Sequence, residues 1–256
     1  MPSISTNEKD RTIAKYIAAL VNDGDTIQLG IGGIPNAVAE FLMDKKDLGV
    51  HTEMMTSNMA KLAKAGVITE KKKTLHKNKM VATFIMGNQA LYDFCDDNTS
   101  ILILDGNYVN DTKVIAQNDN MVSINTSIEV DLMGQCASES IGTRQISGTG
   151  GQSDTAVGAR DAKNGRSFIA LYSTAMIRDK ESGERVEVSK IVATLNLGAI
   201  VSLSRNDVDN VVTEYGVAHL RGTNTKERVE RLIAIAHPKF RDQLYADARR
   251  FGLYND

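Results

Sequence analysis

The chain has no tryptophan, two cysteines and three prolines in 256 residues, and aromatic side chains supply only 5% of it. The two thiols, Cys95 and Cys136, are far apart and outside any CxxC spacing, which excludes a disulfide framework or a zinc ribbon and points to a reducing cytoplasm. No sign of charge dominates, with 30 basic against 32 acidic residues, so the basic excess that draws proteins to nucleic acid or an anionic membrane surface is missing. Long hydrophobic runs are missing too. No segment approaches the roughly 20 apolar residues of a membrane span, and the first ten residues lack the basic start and apolar core of an export leader. The four histidines, His51, His76, His219 and His237, show no HExxH or clustered spacing, so no metal site is expected. Without an export signal, the sequons Asn98-Thr99-Ser100 and Asn125-Thr126-Ser127 carry no meaning.

What is present suits an ordinary globular protein. Apolar residues make up 42% of the chain, enough for a substantial core. Ile13, Ile17, Ala18 and Val21 follow a helical spacing that predicts a helix from Glu8 to Val21, ended by Asn22-Asp23-Gly24. Thr26 to Leu29 reads as a strand, followed by a glycine turn and a helix with Pro35 in its first turn. Strands are expected at Val50 to Met55, Met80 to Ile85 and Ile101 to Leu104, with helices at Ala60 to Ala65 and Gln89 to Phe94. This alternation predicts an α/β fold with a mainly parallel sheet covered by helices. After Asn120 the pattern turns to short strands, among them Ala199 to Leu203, and then to a helical stretch from Thr225 to Phe251 divided at His237-Pro238. Without a repeat or a low-complexity linker, residues 1–256 read as one domain with a subdivision near residue 120.

Two glycine loops carry the chemistry. Gly30-Ile31-Gly32-Gly33-Ile34-Pro35 follows the first strand, and Gly148-Thr149-Gly150-Gly151 precedes Gln152-Ser153-Asp154. The first superficially fits a dinucleotide fingerprint with Glu53 as its acid, but Pro35 stands at the third glycine position, where close packing of helix on strand needs a glycine. Either loop can be a plain turn. Either can also present backbone N–H groups to a thioester at a helix start. Glu53, at the end of the second strand, stands where open α/β sheets place ligand chemistry, and an ionised glutamate can attack a thioester. Glu129 is its rival: Ile128-Glu129-Val130-Asp131-Leu132 alternates apolar and acidic residues, as a strand with one wet face would. Lys71-Lys72-Lys73, with Lys77 and Lys79, reads as a solvated basic loop or as a contact for phosphates.

With Tyr92-Asp93-Phe94, Ile115-Ala116-Gln117-Asn118-Asp119-Asn120 and Val212-Thr213-Glu214-Tyr215-Gly216-Val217-Ala218, these stretches resemble the acetyl-CoA hydrolase/transferase family, and within it the 4-hydroxybutyrate and butyrate CoA-transferases. The resemblance runs from about Asp23 onward and covers the second half of such an enzyme. It implies transfer of CoA between a short-chain acyl-CoA and a carboxylate, with Glu53 as nucleophile and coenzyme A as substrate instead of a permanently bound cofactor. Gly30, Ile31, Gly32, Gly33, Ile34, Ile128, Gly150 and Gly151 are the implied CoA contacts, and a missing N-terminal half or a second copy of the chain is the implied partner. A hydrolase and a noncatalytic CoA-binding module are the alternatives. Three positions depart from the family's pattern: Thr56-Ser57-Asn58 replaces a common aspartate-glycine pair, Thr155 an aromatic residue, and Tyr172 a proline.

Overall fold

The computed structural model describes residues 5–179 and 182–255. The chain divides into two units, one made of the residues up to Asn125 with Gly151–Phe168, the other of Thr126–Gly150 with the residues from Ile169 onward. Along the first unit run α1 (Glu8–Ala18), β1 (Thr26–Leu29), α2 (Gly33–Phe41), β2 (Gly49–Val50), β3 (Met54–Met55), α3 (Ser57–Lys64), β4 (Met80–Ala82), β5 (Phe84–Ile85), α4 (Gln89–Cys95), β6 (Ile101–Ile103), α5 (Gly106–Val109), α6 (Thr112–Ile115), β7 (Met121–Thr126) and α7 (Gln152–Asp161).

Every residue of β1 is buried, and the strand pairs in parallel with β2 on one side and β7 on the other, Ile27 facing Val50 and Val122. A strand covered in this way needs no polar alternation, as its Thr-Ile-Gln-Leu sequence illustrates. The parallel α/β expectation therefore holds. Helix α1 starts with a reciprocal capping box between Asn7 and Asp10 and buries Ile13, Ala14, Ile17 and Ala18. It ends at Ala18, short of Val21, which reaches the core from the turn that follows.

The single strand expected over Val50 to Met55 is broken. His51 makes one bridge to Val81, and the Glu53 carbonyl then accepts from both Thr83 N at 2.8 Å and Phe84 N at 3.1 Å. At that point the partner changes: β4 pairs with β6, and β5 pairs with β3, both in parallel. The expected strand Met80 to Ile85 is split for the same reason, and Glu53 is left in the gap.

The basic loop also differs from expectation. Lys71 and Lys72 are exposed, but the Lys73 side chain is fully buried, with Nζ 3.7 Å from Glu70 Oε2. The ammonium donates to the carbonyls of Val50 and Lys79 at 2.7 Å each, and Glu70 accepts from Val50 N at 3.0 Å. Together they clamp both polar groups of β2's last residue. Burial pushes the Glu70 carboxyl up to about 8 and the Lys73 amine down to about 8.

In the second unit run β8 (Glu129–Asp131), β9 (Cys136–Ala137), β10 (Ser140–Ile141), β11 (Arg144–Gln145), β12 (Arg166–Ala170, in which a boundary falls), β13 (Thr174–Arg178), β14 (Arg185–Ser189), β15 (Ile191–Val192), β16 (Asn210–Thr213), β17 (Gly216–His219), α8 (Thr225–Ile235) and α9 (Pro238–Arg250). β8 lies between β15, parallel, and β9, antiparallel, while β10–β11, β13–β14 and β16–β17 are antiparallel pairs. Proline at the start of α9 divides the C-terminal helices as expected. No strand forms over Ala199 to Leu203; Leu203 contributes one bridge to Cys136. No helix among the described residues is long and apolar enough to cross a membrane.

Replacing Lys73 by methionine would leave Glu70 buried without its cation. The variant should lose about 3–5 kcal/mol in urea unfolding, and adding Glu70→Leu should recover only part of that loss, because the Val50 N–H and the Val50 and Lys79 carbonyls stay without these partners. Equal losses in the single and double variants would show that the clamp is not held by charge.

Candidate active site

The carboxyl ends of β1, β2 and β7 point the same way because the three strands are parallel neighbours. The Gly30 loop leaves β1 there, and the His51-Thr52-Glu53 segment leaves β2. In an open α/β sheet this is the edge where ligand chemistry is placed. Glu53 is half-buried, and the two hydrogen bonds to its carbonyl fix its main chain. Its Oε2 accepts from Gly151 N at 2.8 Å. Gly151 is the N-cap of the ten-residue α7, so the carboxylate rests on the positive end of a helix dipole.

The space around this bond is tight. A Cβ on Gly151 would meet Glu53 Oε2 and stand 2.9 Å from Asn110 Nδ2, so Glu53 and Asn110 crowd the same side of one glycine and a side chain there would push their ends aside. Asn110 Oδ1 is buried without a hydrogen-bond partner. Asp154, in the first turn of α7, has its carboxyl raised above the ordinary value by burial and then by the negative charge of Glu53. Beside it opens a cleft of about 530 Å³ lined by Gly106, Asn107, Asn110, Asp111, Thr112 and Asp154. Asn110 was not singled out from the sequence. An asparagine just past a short helix reads as an ordinary turn residue, and only its proximity to Gly151 distinguishes it.

A buried polar network holds α7 in place. Gln28 Oε1 accepts from Ser123 Oγ at 2.9 Å and Ile124 N at 3.1 Å, and Gln28 Nε2 donates to Asn125 Oδ1 at 3.1 Å. Ser123 Oγ lies 3.0 Å from Thr155 Oγ1, which ties the helix carrying Gly151 and Asp154 to β1 and β7. Thr155, one of the departures from the family's pattern, thus completes this network with a hydroxyl. Asn58, at another departure, donates to Asn36 Oδ1 at 2.8 Å and joins α3 to α2. Gly158 lets α7 close on α6, since a Cβ there would meet Ile115 at 2.5 Å.

The other residues singled out from the sequence have varied surroundings. Gly30 faces Asn125, with Oδ1 at 3.2 Å from a built Cβ. Ile31 is exposed, Gly32 has φ +121°, and Ile34 is in the core. Gly33 is required by packing: a Cβ would stand 2.7 Å from the Asp10 carboxylate of α1. In the second unit Ile128 is half-buried, and Gly150 is exposed with open space around it. Glu129 and Asp131 do not form the expected wet face, because all three residues of β8 are buried. Glu129 is held by Asn196, whose N and Nδ2 donate to it at 3.2 and 2.7 Å, and Asp131 accepts from Met133 N and Gln135 N at 3.0 and 2.9 Å. Among the described residues no cluster of three or more His, Cys, Asp or Glu side chains is arranged to hold a metal.

Residues 87–248 match the acetyl-CoA hydrolase/transferase C-terminal domain. The chain belongs to the acetyl-CoA hydrolase/transferase family. It is 51% identical to a 4-hydroxybutyrate coenzyme A transferase of Clostridium kluyveri over 94% of its own length and 54% of that protein's. It is 47% identical to a succinyl-CoA:cyclohexane-1-carboxylate CoA transferase of Geobacter metallireducens over 95% of its length and 54% of that protein's. The crystal structure of a 4-hydroxybutyrate CoA-transferase from Porphyromonas gingivalis superposes with a TM-score of 0.81 at 43% identity, covering 98% of this chain and 58% of that one. The chain therefore spans about half the length of these acetyl-CoA hydrolase/transferase family relatives.

The coupling between the two carboxylates can be read by NMR. In Glu53→Gln the titration of the Asp154 carboxyl should move down in pH, because one of the two causes of its elevation is removed, and it should remain above the ordinary value because burial persists. A side-chain ¹³C titration that is unchanged by the substitution would show that the two groups do not sense each other.

Proposed function

We propose that the chain is a CoA-transferase domain that moves CoA between a short-chain acyl-CoA and a carboxylate such as acetate, butyrate or 4-hydroxybutyrate, through a glutamyl-CoA thioester on Glu53. The observation that carries this reading is the Glu53 carboxylate resting on Gly151 N–H at 2.8 Å, with Asn110 beside it.

In the first step Glu53 attacks the acyl-CoA carbonyl carbon, the C–S bond breaks and CoA leaves as thiolate, giving a mixed anhydride. The thiolate then attacks the Glu53 carbonyl carbon and releases the acid as its carboxylate, leaving CoA on Glu53. An incoming carboxylate reverses the sequence. Every leaving group departs as a stable anion, so no proton donor is required. Gly151 N–H already points at Oε2 and so stabilises the oxyanion that develops on Glu53 itself, an effect worth roughly 3 kcal/mol per donor where it has been measured. The Asn110 carboxamide supplies a second group on the same side. Conversion of Glu53 to a thioester removes its charge and with it the repulsion from Asp154, which favours the covalent intermediate over the free carboxylate pair.

The Gly30 to Ile34 loop, at the same sheet edge, is the proposed seat for the thioester's carrier chain, and Ile128 and Gly150 are assigned to CoA by resemblance. Binding energy from remote parts of CoA is then available to the transition state. Hydrolysis is the near alternative, since water reaching the anhydride or the thioester gives free acid and CoA. A noncatalytic CoA-binding module is the more distant one.

Glu53→Gln should lower acyl-CoA:carboxylate transfer by a factor on the order of 10⁴ or more while leaving CoA binding within a fewfold of the wild-type chain. Turnover that rises with added carboxylate marks a transferase, and turnover indifferent to it marks a hydrolase. Equal CoA binding with no turnover in either protein favours the binding module, and undiminished transfer in Glu53→Gln removes Glu53 from the chemistry.

A further inference from the structure

His51 lies two residues ahead of Glu53 and is 1% exposed. Its Nε2 is 2.8 Å from the Val109 carbonyl oxygen. A carbonyl oxygen only accepts, so Nε2 carries the ring proton and donates it. Nδ1 is buried and has no hydrogen-bond partner. Burial drives the imidazole pKa down to about 4, and the positive charges of Lys73 and His76 act in the same direction against the partial support of the Val109 bond. The ring is a fixed neutral donor near neutral pH.

Val109 is the last residue of α5, a helix of four residues, and a single turn has little stability of its own. The next residue is Asn110, whose carboxamide stands against Gly151 on the side occupied by Glu53. On the other flank, the Val50 N–H and carbonyl are clamped by Glu70 and Lys73, and His51 N donates to Ile27 O at 3.2 Å. One imidazole therefore joins a rigid strand end that leads to Glu53 with the weakly self-supporting turn that leads to Asn110.

We propose that His51 is a positioning residue that sets the Asn110 carboxamide beside Glu53 through its Nε2–H bond to the Val109 carbonyl. The inference rests on the reading of Glu53 as the transferring nucleophile. A histidine that merely filled the core would contribute volume alone, and any apolar side chain of similar size would serve equally.

The test compares His51→Leu, which removes the donor, with His51→Gln, whose side-chain amide can restore it, in the full chain. Transfer kcat should fall roughly 10- to 100-fold in His51→Leu with KM nearly unchanged, as expected when a reacting group is slightly misplaced, and His51→Gln should recover most of the loss. In an Asn110→Ala background His51→Leu should cost little more, because its effect passes through Asn110. Independently of turnover, amide hydrogen exchange across Val109 to Asp111 should quicken about tenfold in His51→Leu and return toward wild type in His51→Gln. Unchanged exchange there, a glutamine variant no better than leucine, or full multiplication of the His51 and Asn110 effects would overturn the proposal. Undiminished transfer in Glu53→Gln would instead defeat the reading of Glu53 and leave the exchange result to decide the contact.

Discussion

The Glu53 carboxylate, the proposed nucleophile, is received by the Gly151 N–H at the start of α7, 2.8 Å from Oε2. An ion pair with lysine or arginine would stabilise the ground-state anion and weaken it as a nucleophile. A backbone amide at a helix start is a milder partner, and in the proposed mechanism it stays in place when the oxygen becomes an oxyanion. Three features of the first unit hold the segments that meet in this bond. The change of strand partner at Glu53, the Glu70–Lys73 clamp on Val50, and the Gln28–Ser123–Thr155 network each hold one side of the contact.

Glycine at position 151 follows from the same constraint. Its φ of −77° is open to any residue, so the reason for glycine is space: the volume a side chain would need is taken by Glu53 and Asn110. Gly33 is likewise fixed by the approach of Asp10, whereas Gly32, at φ +121°, is fixed by conformation. Glycines that look alike in sequence thus have two different physical causes, close approach at positions 151 and 33 and backbone conformation at position 32.

The parallel α/β architecture was legible because strand, turn and helix periods alternate clearly through the first 120 residues, and the division at His237-Pro238 because proline acts locally. Where the sequence reading went astray, the deciding partner was remote. Val50 to Met55 has the composition of one strand, and nothing in it announces that the Glu53 carbonyl takes two amides from residues 83 and 84. Lys73 belongs to a run of lysines that reads as solvated, yet it is buried by Glu70 and two carbonyls. Glu129 shows the apolar–acidic alternation of an exposed strand and is enclosed because Asn196, 67 residues away, binds its carboxylate. Glu53, the proposed nucleophile, stood out as the acid at a strand end and through its resemblance to the family's pattern. Asn110 did not, since its sequence neighbourhood is that of any turn.

The most direct test of the central claim is peptide mass spectrometry after incubating the chain with acetyl-CoA and borohydride, which reduces a glutamyl thioester to a stable alcohol. The account predicts that the modified side chain is Glu53 and that the modification vanishes in Glu53→Gln. Modification at Glu129, or at no glutamate while CoA transfer proceeds, would contradict it.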